Sequence, residues 1–335
     1  MDRVFNDPLY IDIINSKIFR RLKLISFLGA IEYVLRPSSI YKYFVHSRFN
    51  HSIGVARLAL RYSDIRGFTK IKERGLVVYA LVHDLGHFPL SHTLEDVFAK
   101  KFAMDHRHFS VALINGDLEE HKELTDILEH YKICRRSITH YFDHGDTSEA
   151  SVSSPFNLDT LEGISRSYHA VSRNYLRLDA GRLLKNTLVN RSVIHRQMFW
   201  ASKSQIYNKF IYGPIGMAAD VLSSLYFSEI QKDINIGDMT ANDHVFFARY
   251  PEFVEFVKKI SKYLLDEYAN LPDPIKRRYF LIDDINADET DDRYQSTKVT
   301  CMDNLDAWKD LFYRIYEGKA SCGAQLELFD DDGGN

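Results

Sequence analysis

The chain has 335 residues, of which 45% are hydrophobic and 13% are aromatic. This length and composition are typical of a globular protein with a large buried core, and they exclude an intrinsically disordered chain. The formal net charge is −3. No global positive field therefore attracts nucleic acid or an anionic membrane, and we expect no general nucleic-acid binding.

The three cysteines (Cys134, Cys301 and Cys322) are scattered without the spacing of a metal site, which favours a reducing compartment. The N-terminal sequence lacks the basic and then apolar pattern of a signal peptide, and no run of about 18 apolar residues predicts a membrane span. We therefore expect a cytoplasmic protein with no membrane partner.

The first elements are a helix and a turn. Apolar residues recur at three- and four-residue steps from Ile14 to Ile25 and predict a helix that ends near Gly29. The following apolar stretches flank the sequence Arg-Pro-Ser-Ser, and this turn chemistry predicts a small β-hairpin near residues 32–45.

Helical periodicity dominates the rest of the chain. Helices are predicted, in chain order, over 52–62, 75–85, from about 91, and over 109–114, 124–134, 159–166, 178–189, 193–211, 217–230, 253–268 and 304–316. An acidic stretch over 283–292 predicts a loop. The sequence thus predicts an all-α protein with a core over 1–230, a helical C-terminal extension over 231–328 and an acidic flexible tail over 329–335.

Four residues could form a metal site. His83 and Asp84 stand together at the end of an almost wholly apolar predicted helix, where buried polar side chains need partners. His51 lies upstream, and Asp159 lies at the start of a later helix. Two imidazoles and two carboxylates suit one divalent transition metal (Mn, Fe, Co, Ni or Zn), with open positions for water and a phosphate oxygen.

Each of these residues, considered alone, could have a purely structural role. A solitary histidine on an apolar helix is more often a core residue than a ligand, and Asp159 could simply cap its helix. The additional histidines that follow Asp84 favour the metal site; they are His87, His92, His106 and His108.

Three blocks carry a resemblance to a known family: HSRFNHSIGV at 46–55, HDLGHFPLSH at 83–92 and DTLEGISR at 159–166. Over residues 5–215 the chain resembles the HD-domain phosphohydrolases. It is most similar to the branch of sterile-alpha-motif/HD-type dNTP triphosphohydrolases and bacterial dGTPases. The resemblance implies an HD-domain helical bundle as the catalytic core, and it implies that His51, His83, Asp84 and Asp159 are the metal ligands.

The same resemblance implies catalytic roles for His87, His92, Glu95 and His106. His92 would be the general acid for the leaving oxygen, and the other two histidines would bind the reacting phosphate. Glu95 stands where relatives have aspartate and would orient or charge a histidine. The alternative for His92 is that it caps the helix after Pro89.

Arg48 and Arg191 are the predicted substrate-binding residues. Arg48 lies three residues before His51, and Arg191 matches an arginine that relatives direct at the phosphates. An arginine fork suits phosphate oxygens. Either arginine could instead form a surface ion pair.

The chain differs from the family at positions whose side chains contact the sugar of the substrate in relatives. Phe27, Thr160, Gly163, Ser167 and Phe199 stand where relatives have a glutamine, a lysine, a tyrosine, an aspartate and another tyrosine. These changes remove hydrogen-bonding groups for a sugar hydroxyl, and hydrogen bonds carry much of the discrimination between substrates. The sequence therefore predicts the type of reaction, phosphate-ester hydrolysis, but does not define which nucleotide is the substrate.

The first hypothesis is a metal-dependent nucleotide phosphohydrolase, with dNTP triphosphohydrolase activity as its favoured version. Alternatives are a phosphomonoesterase or phosphodiesterase on a cyclic or oligomeric nucleotide, a nucleotide-sensing module without turnover, and an oxygen-activating dinuclear iron enzyme. The resemblance further implies Mg²⁺ with the nucleotide phosphates, a nucleotide activator and a homo-oligomer.

Overall fold

The structure of the chain is a computed structural model that describes residues 3–35, 46–118, 121–143, 150–171, 178–267, 270–284 and 293–317. Most of these residues are helical, and the strands form a two-stranded sheet. The predicted all-α class is confirmed.

The α-helices of the described residues are α1 Pro8–Asn15, α2 Lys17–Arg21, α3 Ala30–Leu35, α4 Arg48–Arg66, α5 Lys70–Val82, α6 Glu95–Phe102, α7 His106–Asn115, α8 Glu123–His130, α9 Arg135–Thr139, α10 Ala150–Ser153, α11 Leu158–Val171, α12 Ala180–Leu184, α13 Val193–Ile206, α14 Pro214–Glu229, α15 Ile236–Met239, α16 Asp243–Arg249, α17 Pro251–Asp266 and α18 Leu305–Glu317. Shorter 3₁₀ helices lie at Arg3–Phe5, Leu22–Leu24, Ser91–Leu94, His140–Phe142 and Met302–Asn304, and π-helical turns lie at Lys185–Val189 and Tyr207–Ile211. The strands are β1 Lys276–Ile282 and β2 Tyr294–Thr300.

Helices α4 and α5 form a helical hairpin at the centre of the fold. The Ser47 side chain accepts a hydrogen bond from the N–H of Asn50 and caps α4. Gly67 ends α4 in the left-handed region, with φ 64°, and the Thr69 side chain caps α5 directly afterwards. This short connection packs the two helices together and places the start of α4 beside the end of α5.

Two further elements complete the surroundings of that hairpin. Helix α11 packs against α4 and α13, so its first turn reaches the start of α4. After α5 the chain turns through Leu90 and Ser91, which both have positive φ, 59° and 49°. The Asp243 carboxylate accepts a hydrogen bond from the Leu90 N–H at 2.9 Å and holds this turn in place.

The structure contradicts the first strand of the β-hairpin predicted near residues 32–45. Residues 30–35 are helix α3, while 36–45 lie outside the described residues. The apolar side chains of α3 pack on α14 and α17, so tertiary packing decides the conformation there. The hairpin that the structure describes is formed by β1 and β2, inside the predicted helical extension, and its strands flank the acidic stretch over 283–292.

Most predicted helices are confirmed with shifted ends, including those over 52–62, 75–85, 109–114, 253–268 and 304–316. The helix over 124–134 is interrupted after α8, where Lys132 takes a φ of 56°. The tail over 329–335 lies outside the described residues, and the division at residue 230 stays a prediction.

Among the described helices, none is long and apolar enough by itself to cross a membrane. One pair, Val193–Ile211 and Pro214–Glu229, meets the length and composition test jointly, with a bend of 56° between its parts.

Candidate active site

Two buried histidines face each other where α4 begins and α5 ends. His83 Nδ1 lies 2.9 Å from the carbonyl oxygen of Ala80, and His51 Nδ1 lies 2.5 Å from the Glu162 carboxylate. Because both partners accept, each Nδ1 carries a proton and each Nε2 presents a lone pair. The two Nε2 atoms are 3.3 Å apart. Two Nε2 atoms at this separation must share a cation, which is a proton in the metal-free protein and can be a metal ion in its place.

Two carboxylates complete this cluster. Asp159 Oδ1 lies 3.0 Å from His51 Nε2 and 3.8 Å from His83 Nε2. The Asp84 oxygens lie 3.6 Å and 3.4 Å from the same two nitrogens. Asp84 is buried, whereas the Asp159 side chain is 56% exposed. The four predicted ligands therefore converge, and the cluster is open on the Asp159 side.

The charges around the cluster favour a cation. Burial opposes protonation of His51, but the charges and hydrogen bonds of Glu162, Asp159 and Asp84 outweigh it and raise its pKa to about 9. Burial likewise opposes ionisation of the two aspartates, yet their histidine partners hold the pKa of both well below the usual range. Imidazole nitrogens with ionised carboxylates fit a divalent transition metal.

A second cluster of histidines lies beside the first. His87 is buried and stacks on His106, with ring centroids 4.2 Å apart and planes at 7°. Glu95 accepts from Nδ1 of His92 at 2.8 Å and from Nδ1 of His106. Because one carboxylate fixes both Nδ1 atoms, the Nε2 atoms of these two rings are available to a ligand.

Ionisation differs between the members of this second cluster. Burial opposes ionisation of Glu95, but its two histidine partners lower its pKa below the ordinary value. Burial, followed by the Arg48 charge, lowers the pKa of His87 well below its ordinary value. His87 Nε2 lies 3.2 Å from Asp84 Oδ1, which links the two clusters. The His92 side chain is 59% exposed and is the most accessible of these three rings.

Gly86 permits the approach of α7 to the turn after α5. A Cβ at this position would overlap the carbonyl oxygen of His106 and the N–H of Ser110. These are backbone atoms, so they could not move aside cheaply. The Gly86 N–H donates to the Ser110 hydroxyl at 2.8 Å. The glycine therefore sets the distance between the two clusters.

Both clusters border one cavity of about 280 Å³, close to the lower end of the size range of small-molecule sites. Apolar side chains form one part of its wall, namely Phe27, Leu28, Ile31, Ile164 and Ile211. Charged and polar side chains form the remainder, namely Arg48, Asp84, His87, His92, Thr93, His106, Arg107, Asp159, Thr160, Ser167, Lys203, Tyr207 and Asp220. The cavity thus combines an apolar wall with a reactive polar wall.

The two predicted substrate arginines lie in different surroundings. Arg48 lines the cavity but is buried, and it donates to Asp84 at 2.8 Å and to Ser91 at 3.0 Å. These bonds orient Asp84, a predicted metal ligand, so Arg48 has a structural partner in addition to any phosphate. Arg191 is exposed and does not line the cavity in the part of the chain that the structure describes. Its predicted contact with the substrate stays a prediction.

Three residues of the site were not predicted from the sequence. Glu162 orients His51, and its only sequence signal is its place one helical turn after Asp159. Lys203 and Asp220 line the cavity from α13 and α14. No local motif marks either residue, because the packing of distant helices brings them to the site.

Comparison with known proteins agrees with this geometry. The model of the HD domain family matches residues 48–162, which contain the four predicted metal ligands. The uncharacterised protein YwfO of Bacillus subtilis is 25% identical over 83% of this chain and 66% of its own length.

Two relatives carry a functional name. A protein of Dictyostelium discoideum named as a deoxynucleoside triphosphate triphosphohydrolase SAMHD1 homolog is 27% identical over 81% of this chain and 52% of its own length. The SAMHD1 of Bos taurus is 33% identical over 37% of this chain and 22% of its own length. The chain thus spans less than two thirds of the length of these curated relatives. Residues 48–162 match the HD domain model, and the chain resembles the SAMHD1-type branch of the HD-domain phosphohydrolase superfamily.

Proposed function

We propose that the protein is a metal-dependent nucleotide phosphohydrolase, with hydrolysis of a dNTP to deoxynucleoside and triphosphate as the favoured reaction. The observation that carries the proposal is the position of two histidine clusters on one cavity. One cluster has the donor set of a metal site, and the other presents imidazole groups toward the same space.

His51, His83, Asp84 and Asp159 would hold a divalent transition metal. When bound, the ion would neutralise charge on a phosphoryl oxygen and make a neighbouring water a better nucleophile at neutral pH. Mg²⁺ could in addition accompany the nucleotide phosphates.

The second cluster supplies the remaining chemistry. His106, in its doubly protonated form, would donate from Nε2 to a phosphoryl oxygen, where negative charge increases in the transition state, and His87 would contact the same phosphate. His92 is accessible and Glu95 accepts from its Nδ1, so in the imidazolium form its Nε2–H would donate a proton to the leaving oxygen. The apolar wall near Phe27 would take the nucleoside.

The proposal is tested by incubating the purified protein with each dNTP, each NTP and cyclic nucleotides in the presence of Mn, Fe, Co or Mg. We expect inorganic triphosphate and nucleoside as products. Orthophosphate or a linear nucleotide as product would instead support a phosphomonoesterase or a phosphodiesterase. Both remain alternatives because this chain lacks the hydrogen-bonding groups with which relatives bind the sugar. Tight binding without turnover under every metal would contradict the proposal and support a nucleotide-sensing module.

Variants separate the two clusters. His83→Ala and Asp84→Ala should remove both metal and activity. His92→Ala should keep the metal and lower kcat about 10²- to 10⁴-fold. Full activity of His83→Ala and Asp84→Ala would contradict the assignment.

Assembly and regulation remain predictions. We infer a homo-oligomer with a nucleotide activator from the resemblance to relatives of that kind. Light scattering with and without nucleotide measures the molar mass and tests the oligomer. The activity with and without an added nucleotide tests the activator. A cytoplasmic location is likewise a prediction.

A further inference from the structure

Lys203 is a buried cation that faces the cavity. It is 7% exposed, projects from α13 and lines the cavity. Its ammonium group lies 4.6 Å from the centroid of the Trp200 ring. Within the described part of the chain it forms no ion pair or hydrogen bond. A buried ammonium group without a carboxylate partner is costly, so its retention indicates an anionic ligand.

The hairpin β1–β2 places more positive charge behind Lys203. Arg278 and Lys298 are directly opposite each other in the strand register and therefore lie on one face. The Arg278 guanidinium lies 4.4 Å from the Tyr207 ring centroid, and Tyr207 lines the cavity. Like charges at directly opposed positions destabilise a hairpin, which again indicates a ligand that offsets their repulsion.

Neither Lys203 nor Arg278 forms an ion pair with a carboxylate within the described residues. The hydrogen-bond partner of Arg278 is the neutral Ser296 hydroxyl, at 2.9 and 3.1 Å. Burial and then the Arg278 charge lower the pKa of Lys203 to about 8, although Asp159 opposes the shift. Lys203 and the predicted metal ligand Asp159 line the same cavity, so the ammonium group can meet a phosphate group bound there.

We propose that Lys203, supported by Arg278 and Lys298, binds the phosphate groups beyond the one that is attacked. This inference rests on the proposed function, and it identifies the outer phosphate groups as the part of the substrate that these cations recognise. The cationic cluster would make the site prefer nucleoside triphosphates to monophosphates, independently of the base and the sugar. Phosphate oxygens are favourable partners for lysine and arginine.

The test combines binding with kinetics. Calorimetry measures the binding of inorganic tripolyphosphate and of orthophosphate, and kinetics compare nucleoside mono-, di- and triphosphates. For Lys203→Met we expect about a tenfold or larger loss of tripolyphosphate affinity and a similar rise in KM for triphosphates. Orthophosphate affinity should stay nearly unchanged. Lys203→Arg should retain most of the binding, and Arg278→Gln should show a smaller loss.

Lys258→Met is the matched control, because Lys258 is exposed on α17 and pairs with Glu255. Lys203→Met removes a buried charge, so its melting temperature should equal or exceed that of the wild type. If Lys203→Met fails to fold, the tripolyphosphate affinities of Arg278→Gln and Lys298→Gln test the proposal. Both variants should then bind tripolyphosphate more weakly than Lys258→Met does.

The two proposals can fail separately. Lys203-dependent binding of tripolyphosphate without hydrolysis of any nucleotide would contradict the proposed function and support this inference. Hydrolysis by the wild type, with Lys203→Met matching Lys258→Met in tripolyphosphate affinity and KM, would overturn this inference alone.

Discussion

At the scale of single residues, the orientation of His51 depends on one carboxylate. Glu162 accepts from its Nδ1 at 2.5 Å and is itself held by Arg166. A charged acceptor makes the opposite nitrogen more basic and fixes the ring plane, and both effects strengthen metal binding. The predicted metal ligands come from motifs in the sequence, whereas this supporting contact exists only once α11 has packed on α4.

We therefore predict that Glu162→Gln lowers metal affinity about 10- to 100-fold, because the amide can still accept a hydrogen bond but has no charge. Competition with a chelating dye measures the affinity. The control is Glu255→Gln, at an exposed ion pair on α17. Equal affinities for the two variants would show that Glu162 does not support the metal.

Gly54 gives a second way to disturb the same contact. A Cβ at Gly54 would lie 2.6 Å from the Glu162 carboxyl carbon. Since His51 and Arg166 hold that carboxylate, it cannot move away without losing a hydrogen bond. Gly54→Ala should weaken metal binding in the same assay although it touches no ligand.

Gly75→Ala is the matched control for this prediction. Gly75 lies in α5, and a Cβ there meets no atom within 4 Å. This variant should bind metal normally and gain up to about 1 kcal/mol in stability from helix propensity. Normal metal binding by Gly54→Ala would mean that Glu162 can adjust its position freely.

At the scale of elements, periodicity predicted the helices well where one face is buried, as in α17 and α18. It failed for β1 and β2, because β1 has three basic residues followed by four apolar or aromatic ones and β2 is mostly polar, so neither strand shows a polar–apolar alternation. What stabilises the hairpin is long-range packing, with Phe280 and Tyr294 contacting Trp200 of α13. A contact between residues so far apart has no local signal in the sequence.

Helix α14 carries an acid whose ionisation should affect stability. Asp220 accepts from the Thr93 hydroxyl at 2.6 Å, and burial raises its pKa to about 6, although Thr93 and Lys276 oppose the shift. A carboxyl with a raised folded-state pKa favours folding at acid pH, and this contribution is lost as the pH rises through 6. Above that pH the wild type must bury a charge.

Asp220→Asn should therefore gain stability over the wild type as the pH rises from 4 to 8, reaching about 2 kcal/mol. Urea denaturation at each pH measures the free energy of unfolding. Asp306→Asn is the control, because that side chain is 90% exposed on α18. A difference between Asp220→Asn and the wild type that does not change with pH would refute the raised pKa.

At the scale of the whole molecule, residues on both sides of the predicted boundary at 230 meet around the HD motif. Arg21 donates to the carbonyl oxygens of Leu85 and His87, and also to those of Met239 and Ala241. One buried guanidinium thus joins the turn after α5 to the segment around α15. Sequence patterns give no sign of this connection, because its acceptors are backbone atoms.

Asp243, the first residue of α16, makes the complementary connection. Its buried carboxylate accepts from the N–H groups of Ser26 and Leu90, each at 2.9 Å, and from the Tyr33 hydroxyl at 2.6 Å. Leu90 has positive φ, so the carboxylate stabilises a strained turn just before His92. Loss of the carboxylate should therefore affect both stability and catalysis.

Asp243→Ala should lower the free energy of unfolding by about 3–5 kcal/mol, because it leaves buried donors unpaired. Among molecules that remain folded, the metal content should be normal while kcat falls, since the turn that carries His92 can relax. Urea denaturation, metal analysis and the nucleotide assay measure these effects on one preparation. Asp266→Ala, at an exposed position at the end of α17, is the control. A stable Asp243→Ala with unchanged kcat would show that the turn after α5 keeps its conformation without the segment after residue 230.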